Sequence, residues 1–289
     1  MQACEKNKVE KATLYLVGTP IGNLSDISER AKKVLSEVDF IAAEDTRNSA
    51  KLLLCLGIKK ELVSYYEHNK AKSGEKIIER LSLGESCAII TDAGMPAISD
   101  PGEDIVKLAI QSSIKVSVIP GPCAAVSALA LSGLSTARFV FEGFLPIKNK
   151  ERAERLKALR CEERTAILYE APHKLKQTLS DMCEAFGTER KISLCRELTK
   201  LNEEVIVTTL GGAKELYSDN EPRGEYVLVL EGSQDKNGAD SELLSLSIEE
   251  HVSHYEAAGL SKMEAIKATA RDRGVKKNEI YKVINCAED

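Results

Sequence analysis

The sequence predicts an α/β protein with a mostly parallel sheet, and two observations carry that expectation. From residue 12 onward, short β-rich apolar runs alternate with segments of helical hydrophobic spacing, which is the signature of βαβ units. Three of those runs also end in Gly/Pro-rich turns: VGTPIGN (17–23), TDAGMPAISDPG (91–102) and IPGPCAA (119–125). The carboxyl ends of neighbouring parallel strands open on one sheet edge, so such turns face one crevice. That crevice is the candidate active site.

Each element follows from its local pattern. ATLYLVG (12–18) reads as a buried strand, and residues 27–38 place Ile27, Ala31, Val34, Leu35 and Val38 at helical spacing. The alternation continues with strand 39–44, helix 48–56, strand 61–66, helix 73–83, strand 87–90, helix 105–112, strand 116–119 and helix 123–131. After Leu134 the pattern changes. A β-like aromatic run, RFVFEGFLP (138–146), precedes a charged helix at 149–160, then TAILYEAP, a helix at 173–186, and ISLCREL. EEVIVTTLGG (203–212) and GEYVLVLEG (224–232) read as further strands, so a second α/β domain with a more mixed sheet is expected. Polar SQDKNGADSE (233–242) reads as a linker, and helical patterns at 248–258, 262–273 and 277–284 follow, with Gly259 and Gly274 as helix stops. The expected boundaries are 12–135, 136–232 and 243–289.

Composition narrows the functional classes. At 289 residues the chain exceeds the usual size of one core. With no Trp and 4% aromatic residues, a broad base-stacking surface is not expected, and a net charge of −5 gives no global pull on nucleic acid. RNA contact would need local basic patches. Residues 146–164 hold seven Lys/Arg against four Glu, and 262–282 hold seven against three acids; solvated helix faces are the ordinary explanation of such runs. Eight cysteines show no CxxC pair and lie mostly in apolar runs, which predicts reduced, buried thiols. A polar amino terminus and the lack of a long apolar stretch predict a cytoplasmic protein that does not cross a membrane.

The turns lack the glycine spacing of a dinucleotide site, since the first has only Gly18 and Gly22, and no P-loop is present. Asp92 at a strand end can bind ligand amines or hydroxyls, or simply build an Asx turn. Gly94 and Pro96 shape a wall of carbonyls suited to a cationic centre. AEDTR (43–47) sets Glu44, Asp45 and Arg47 just past a strand; either acid could be a base and Arg47 could grip a phosphate, while the plainer reading is a helix cap with a local ion pair. His68, beside Asn69 and Lys70, is a weak candidate. His251 and His254 lack the companions of a metal site.

Taken together, VGTPIGNLSDISERA, AEDTRNSAKLL, TDAGMPAISDPG, IPGPCAAVSALALSGL, FVFEGFLPIK and LYEAPHKL resemble the branch of the tetrapyrrole methylase fold that methylates small-subunit ribosomal RNA, the 16S rRNA (cytidine) 2′-O-ribose methyltransferases. The resemblance covers about residues 12–232, and the carboxyl-terminal segment is similar to a small helical domain some members carry. It implies S-adenosyl-L-methionine in a cleft between two α/β domains, a homodimer, small-subunit RNA as partner in the assembled subunit, and no metal. Carried over, the cofactor would meet Val17, Gly18, Thr19, Pro20, Asp92, Ala93, Gly94, Met95 and Ile98. Pro120, Cys123, Ala124, Tyr169, Glu170, Ala171, Leu198 and Gly224 would complete its pocket. Met95 and Cys123 stand where smaller residues are common in the family.

Ribose and phosphate contacts are expected around AEDTR and the loop 142–148, from Arg47, Asn69, Lys148, Lys150 and Arg152. Asp45, Glu44, His68 and Lys148 are the candidates to take the hydroxyl proton, with Asp45 ranked first. The competing expectations are a tetrapyrrole methylase of the same fold, which would not need basic patches, and a non-catalytic RNA- or nucleotide-binding module.

Overall fold

The computed structural model describes residues 8–234, 243 and 246–286. These fall into two compact units, one built from the chain through Arg155 with Arg164–Glu231, the other from Leu156–Glu163 with the chain from Gly232 on. The expected linker at 233–242 lies outside the described residues from position 235.

The first unit opens with β1 (Thr13–Val17), α1 (Glu29–Glu37), β2 (Phe40–Ala43), α2 (Thr46–Cys55), β3 (Glu61–Ser64), α3 (Lys70–Ser82), β4 (Cys87–Ile90), α4 (Gly102–Gln111), β5 (Lys115–Ile119) and α5 (Ala124–Leu131). The strands form a parallel sheet in the order β3-β2-β4-β1-β5. Alternate residues serve opposite faces. Tyr15, Val17, Ile41, Ala43, Ala88 and Ile90 pack with Ala31, Val34 and Leu35 of α1. Leu14, Phe40, Ala42, Cys87 and Ile89 pack with Ile77, Leu81, Ile105 and Ala109 from α3 and α4. Helices on both faces explain why β2 and β4 are apolar at every position. The order also sets β4, β1 and β5 side by side, so the three Gly/Pro-rich turns leave one edge together.

A second sheet uses β6 (Phe139–Phe144), β7 (Thr165–Glu170), β8 (Lys191–Arg196), β9 (Glu204–Thr209) and β10 (Tyr226–Leu230), with α6 (Asn149–Arg160), α7 (Pro172–Phe186) and α8 (Leu210–Leu216) between them. Its order is β6-β7-β10-β8-β9; β6 and β7 are parallel and the other pairs antiparallel. The sheet is therefore mixed. Helix α5 joins the two sheets, because Ala125, Ala128 and Leu129 pack with Ile167, Cys195, Leu198, Val227 and Val229.

Two local expectations change. The run 203–212 is not one strand: Thr209 caps a helix by accepting from the Gly212 N–H at 3.2 Å, and α8 begins there. The cysteines are not uniformly buried either, since Cys87 and Cys195 are buried, Cys123 and Cys183 half-buried, and Cys55 and Cys161 exposed.

The second unit carries α9 (Ile248–Ala257), α10 (Lys262–Asp272) and α11 (Lys277–Cys286). Capping boxes Ser247/Glu250 and Ser261/Glu264 start the first two. Val252, Ala265, Ile266, Ala270, Ile280 and Ile284 form the core.

Candidate active site

The three turns are tied into one floor. Gly18 and Gly121 touch backbone to backbone: a Cβ on Gly18 would lie 2.6 Å from the Gly121 Cα. Only glycine permits that approach. Thr19 N–H donates to the Gly94 carbonyl at 2.9 Å and Gly94 N–H returns a bond at 3.2 Å. The buried Thr19 hydroxyl donates to the carbonyls of Thr91 and Gly94 at 3.2 and 3.3 Å. A cavity of about 1010 Å³ opens above this floor, lined from the first sheet and from the ends of β6, β7 and β10.

The structure divides the residues singled out from sequence. Asp92, Ala93, Gly94, Met95, Ile98, Cys123, Ala124, Tyr169, Glu170, Ala171 and Leu198 line the cavity, as does Glu44. Val17 sits in the core beneath it, and Gly18, Thr19 and Pro20 shape the floor from below the lining. Pro120 is exposed and outside the lining, and Gly224 packs against Glu197 beside the lining residue Glu225.

The acceptor-side residues separate further. Asp45 caps α2, accepting from Arg47 N–H at 2.8 Å, and its carboxylate pairs with the exposed Arg47 guanidinium at 3.3 Å. The plainer reading of AEDTR thus describes Asp45 and Arg47. Asn69 builds a turn: its Oδ1 accepts from Tyr66 N–H at 2.8 Å and its Nδ2 donates to the Ser64 carbonyl at 3.1 Å. Exposed His68 lies edge-on to Tyr66 and outside the cavity. Lys148 pairs with Glu151 at 3.1 Å on the surface, and Lys150 is exposed. Arg152 is held inside, donating to Asp181 and Thr178 at 2.7 Å each. Thr178 in turn donates to buried Glu170, so Arg152 braces the end of β7. Its donors are engaged within the protein, which removes it from the phosphate-gripping set.

Electrostatics separates the two adjacent acids. Hydrogen bonds from the Arg47 side chain and backbone hold Asp45 below the usual carboxylate range. Burial pushes Glu44 up, the Thr91 hydroxyl at 3.1 Å pulls it partly back, and Asp92, Asp100 and Asp45 add to the rise. Glu44 therefore combines a raised pKa with a place in the cavity, the ordinary marks of a proton acceptor. Tyr169, also in the lining, is pushed up to about 12 by burial.

Several lining residues were not singled out from the sequence: Thr91, Lys70, Asp100, His173 and Glu225, while Phe144 falls in the loop 142–148 where acceptor contacts were expected. The DPG of the second turn and the FEGF run carried signals for Asp100 and Phe144. Lys70 carried none, because its place depends on a distant partner: it pairs with nearby Glu67 at 2.8 Å and with Asp104 of α4 at 2.7 Å.

The lining suits a cationic, nucleoside-bearing cofactor. It presents eight carboxylates against one lysine and one histidine, and the N-cap residues at the amino-terminal ends of α5 and α7 make no side-chain cap bond. Among the described residues no group of three or more His, Cys, Asp or Glu is arranged to hold a metal. His251 is buried in the second unit and accepts from Arg273 Nε at 3.1 Å. Among the described residues no helix is long and apolar enough to cross a membrane.

This chain belongs to the tetrapyrrole (corrin/porphyrin) methylase family, whose family model matches residues 13–214. It is 47% identical over 283 residues to a ribosomal RNA small subunit methyltransferase I of Halalkalibacterium halodurans, covering 98% of each chain. It is 46% identical to the protein of the same name from Bacillus subtilis, covering 95% of this chain and 94% of that one. The fold also matches uroporphyrin-III C-methyltransferase from Thermus thermophilus in complex with S-adenosyl homocysteine, at a TM-score of 0.54 and 16% identity over 76% of this chain and 97% of that one.

Proposed function

We propose that the protein is an S-adenosylmethionine-dependent methyltransferase that modifies the 2′-hydroxyl of a cytidine ribose in 16S ribosomal RNA, working on the assembled small subunit as a homodimer. The observation that carries the acceptor class is the full-length likeness to proteins named ribosomal RNA small subunit methyltransferase I. The cavity's charge supports the same choice over a tetrapyrrole. A macrocycle bearing several carboxylates would bring them against eight lining carboxylates, whereas an RNA need admit only an uncharged nucleoside and can leave its phosphates outside.

The turn at Asp92–Met95, the start of α5 at Cys123 and Ala124, and the strand end Tyr169–Ala171 would hold the cofactor, which supplies a methyl group on a positively charged sulfur. The surrounding carboxylates favour that charge. The protein's own task is to hold the ribose oxygen about 3 Å from the methyl carbon and in line. Glu44 takes the hydroxyl proton on its carboxylate. The Thr91 hydroxyl, donating to Glu44 Oε2 at 3.1 Å, fixes the carboxylate's direction, and Glu44 displaces Asp45 as first choice because Asp45 is committed to Arg47 and the α2 cap.

Transfer of labelled methyl from S-adenosylmethionine to purified small subunits, followed by mapping of the modified nucleotide, tests this reading. Ribose methylation at one cytidine is expected. Transfer to a porphyrinoid but not to subunits would overturn it, and sedimentation of the protein as a monomer under assay conditions would remove the dimer.

A further inference from the structure

We propose that the cavity carries a nucleobase-stacking subsite whose platform is Phe144, with Ile98 on the neighbouring wall. This rests on RNA being the methyl acceptor. Phe144 ends β6 and lines the cavity, and the residue is 60% exposed. The rings around it are otherwise engaged: Phe141 packs edge-on against Tyr169 at 5.1 Å, and Phe144 meets Tyr169 tilted at 59° with centroids 5.6 Å apart. Much of the Phe144 ring is therefore uncovered.

Its exposure is built in by the backbone. The β6–β7 register shifts between Phe141 and Gly143, and Gly143 has φ +63°, a bulge that re-aims the residue after it. Gly143 lies against the turn from the first sheet, since a Cβ there would stand 3.1 Å from Ser99 Oγ. In that turn Ala97 and Ser99 are both left-handed, at φ 66° and 63°, a conformation non-glycine residues adopt at a cost. Asp100 maintains it: Oδ1 accepts from Ala97 and Gly102 N–H groups at 3.0 and 2.7 Å, and Oδ2 from Ile98 N–H at 3.3 Å. Between the two left-handed residues Ile98 stands 48% exposed in the cavity lining. Two strained segments, one from each sheet, thus meet and present an aromatic and a branched apolar side chain.

The occupant follows from shape and charge. A flat, uncharged group fits a ring face within a carboxylate-rich lining; a phosphate does not. At about 1010 Å³ the cavity is at the upper end for a single small ligand, which leaves space for a base beside the methyl donor. Proteins that recognise single-stranded RNA commonly stack its splayed-out bases on aromatic side chains.

The test uses the full-length protein, purified small subunits and S-adenosylmethionine. Phe144→Ala should raise the subunit concentration for half-maximal rate about tenfold, within the range of one lost base stack, while S-adenosylmethionine affinity by calorimetry stays within about twofold. Phe144→Trp should restore the subunit dependence, and Phe144→Leu, apolar but without a ring, should not. Equal performance of Leu and Phe, an unchanged Ala variant, or parallel loss of cofactor affinity would each overturn the subsite. If the wild-type protein transfers no methyl to subunits, the function itself falls; active wild type with indifferent Phe144 variants sinks the subsite alone.

Discussion

The two walls of the cavity are made of different chemistry. The first sheet contributes glycines in backbone contact, backbone carbonyls and the carboxylates of Glu44, Asp92 and Asp100. The second contributes Phe144, Tyr169 and Leu198, with buried Glu170 braced by Thr178. One wall is matched to a compact positive charge through electrostatics and close backbone approach, the other to flat apolar surface. On the proposed reading the first sheet serves the donor's charge and the proton, while the second serves the cofactor through the Tyr169 end and the acceptor through Phe144, so Glu44, Gly18 and Phe144 variants should fail in different ways.

The largest effect belongs to Glu44. If it is the proton acceptor, Glu44→Gln should lower the single-turnover rate by about 10² to 10⁴-fold with saturating subunits and little change in cofactor affinity. Asp45→Asn, one residue away but tied to Arg47, should change the rate only a few-fold. Equal losses in the two would erase the distinction drawn between the adjacent acids. The pH profile sharpens it. A proton acceptor at Glu44 must be ionised, so on this proposal the rate should fall on acidification, and because the Glu44 pKa is raised that fall should begin above the ordinary glutamate value of about 4.3. Asp45→Asn should keep this limb and Glu44→Gln should lose it.

Next comes the floor of the first wall. Gly18→Ala would place a methyl group 2.6 Å from Gly121 Cα and 2.7 Å from Met95 Sδ. The methionine can move; the backbone at Gly121 cannot move without opening the joined turns. A loss of about 1–3 kcal/mol in urea unfolding is expected, together with weaker S-adenosylmethionine binding. This is the converse of Phe144→Ala, which leaves the cofactor side intact.

How much of this was legible in the sequence depends on the range of the interaction. Strands and helices of the first sheet followed from runs such as CAII and FIAA, because a strand covered on both faces is apolar at every position. The turns announced the donor wall, since glycine and proline restrict the backbone locally. Where a side chain's role depends on a distant partner, the sequence was silent. Arg152 reads as one more cation in a basic helix until Asp181 and Thr178 come to it from α7. Glu44 and Asp45 are equivalent in the string AEDTR, and only the folded positions of Thr91 and Arg47 separate them. Helix α8 was missed because TTLGG continues a β-branched run into glycines, and the cap at Thr209 shows only in its bond to Gly212.

The smallest expected effect is thermodynamic and tests the same assignment from outside catalysis. A carboxyl whose folded pKa is raised above its unfolded value contributes stability below the unfolded pKa and loses it as pH rises through the folded pKa. At neutral pH, ionised Glu44 is therefore a cost to folding, through its partial desolvation and the charges of Asp92, Asp100 and Asp45 beside it. Glu44→Gln removes the charge and keeps the shape, so Tm should rise at pH 7, and only slightly, because the carboxylate is exposed enough for solvent to screen it. The gain should shrink toward zero near pH 4, where the wild-type carboxyl is protonated. Asp45, whose folded pKa is lowered, has the opposite sign: its stabilisation is present above the unfolded pKa and lost as pH falls, so Asp45→Asn should lower Tm at pH 7. Differential scanning calorimetry of both variants at pH 4 and 7 reads the two signs directly, and a Glu44→Gln protein less stable than wild type at pH 7 would show that this carboxylate serves the fold rather than the reaction.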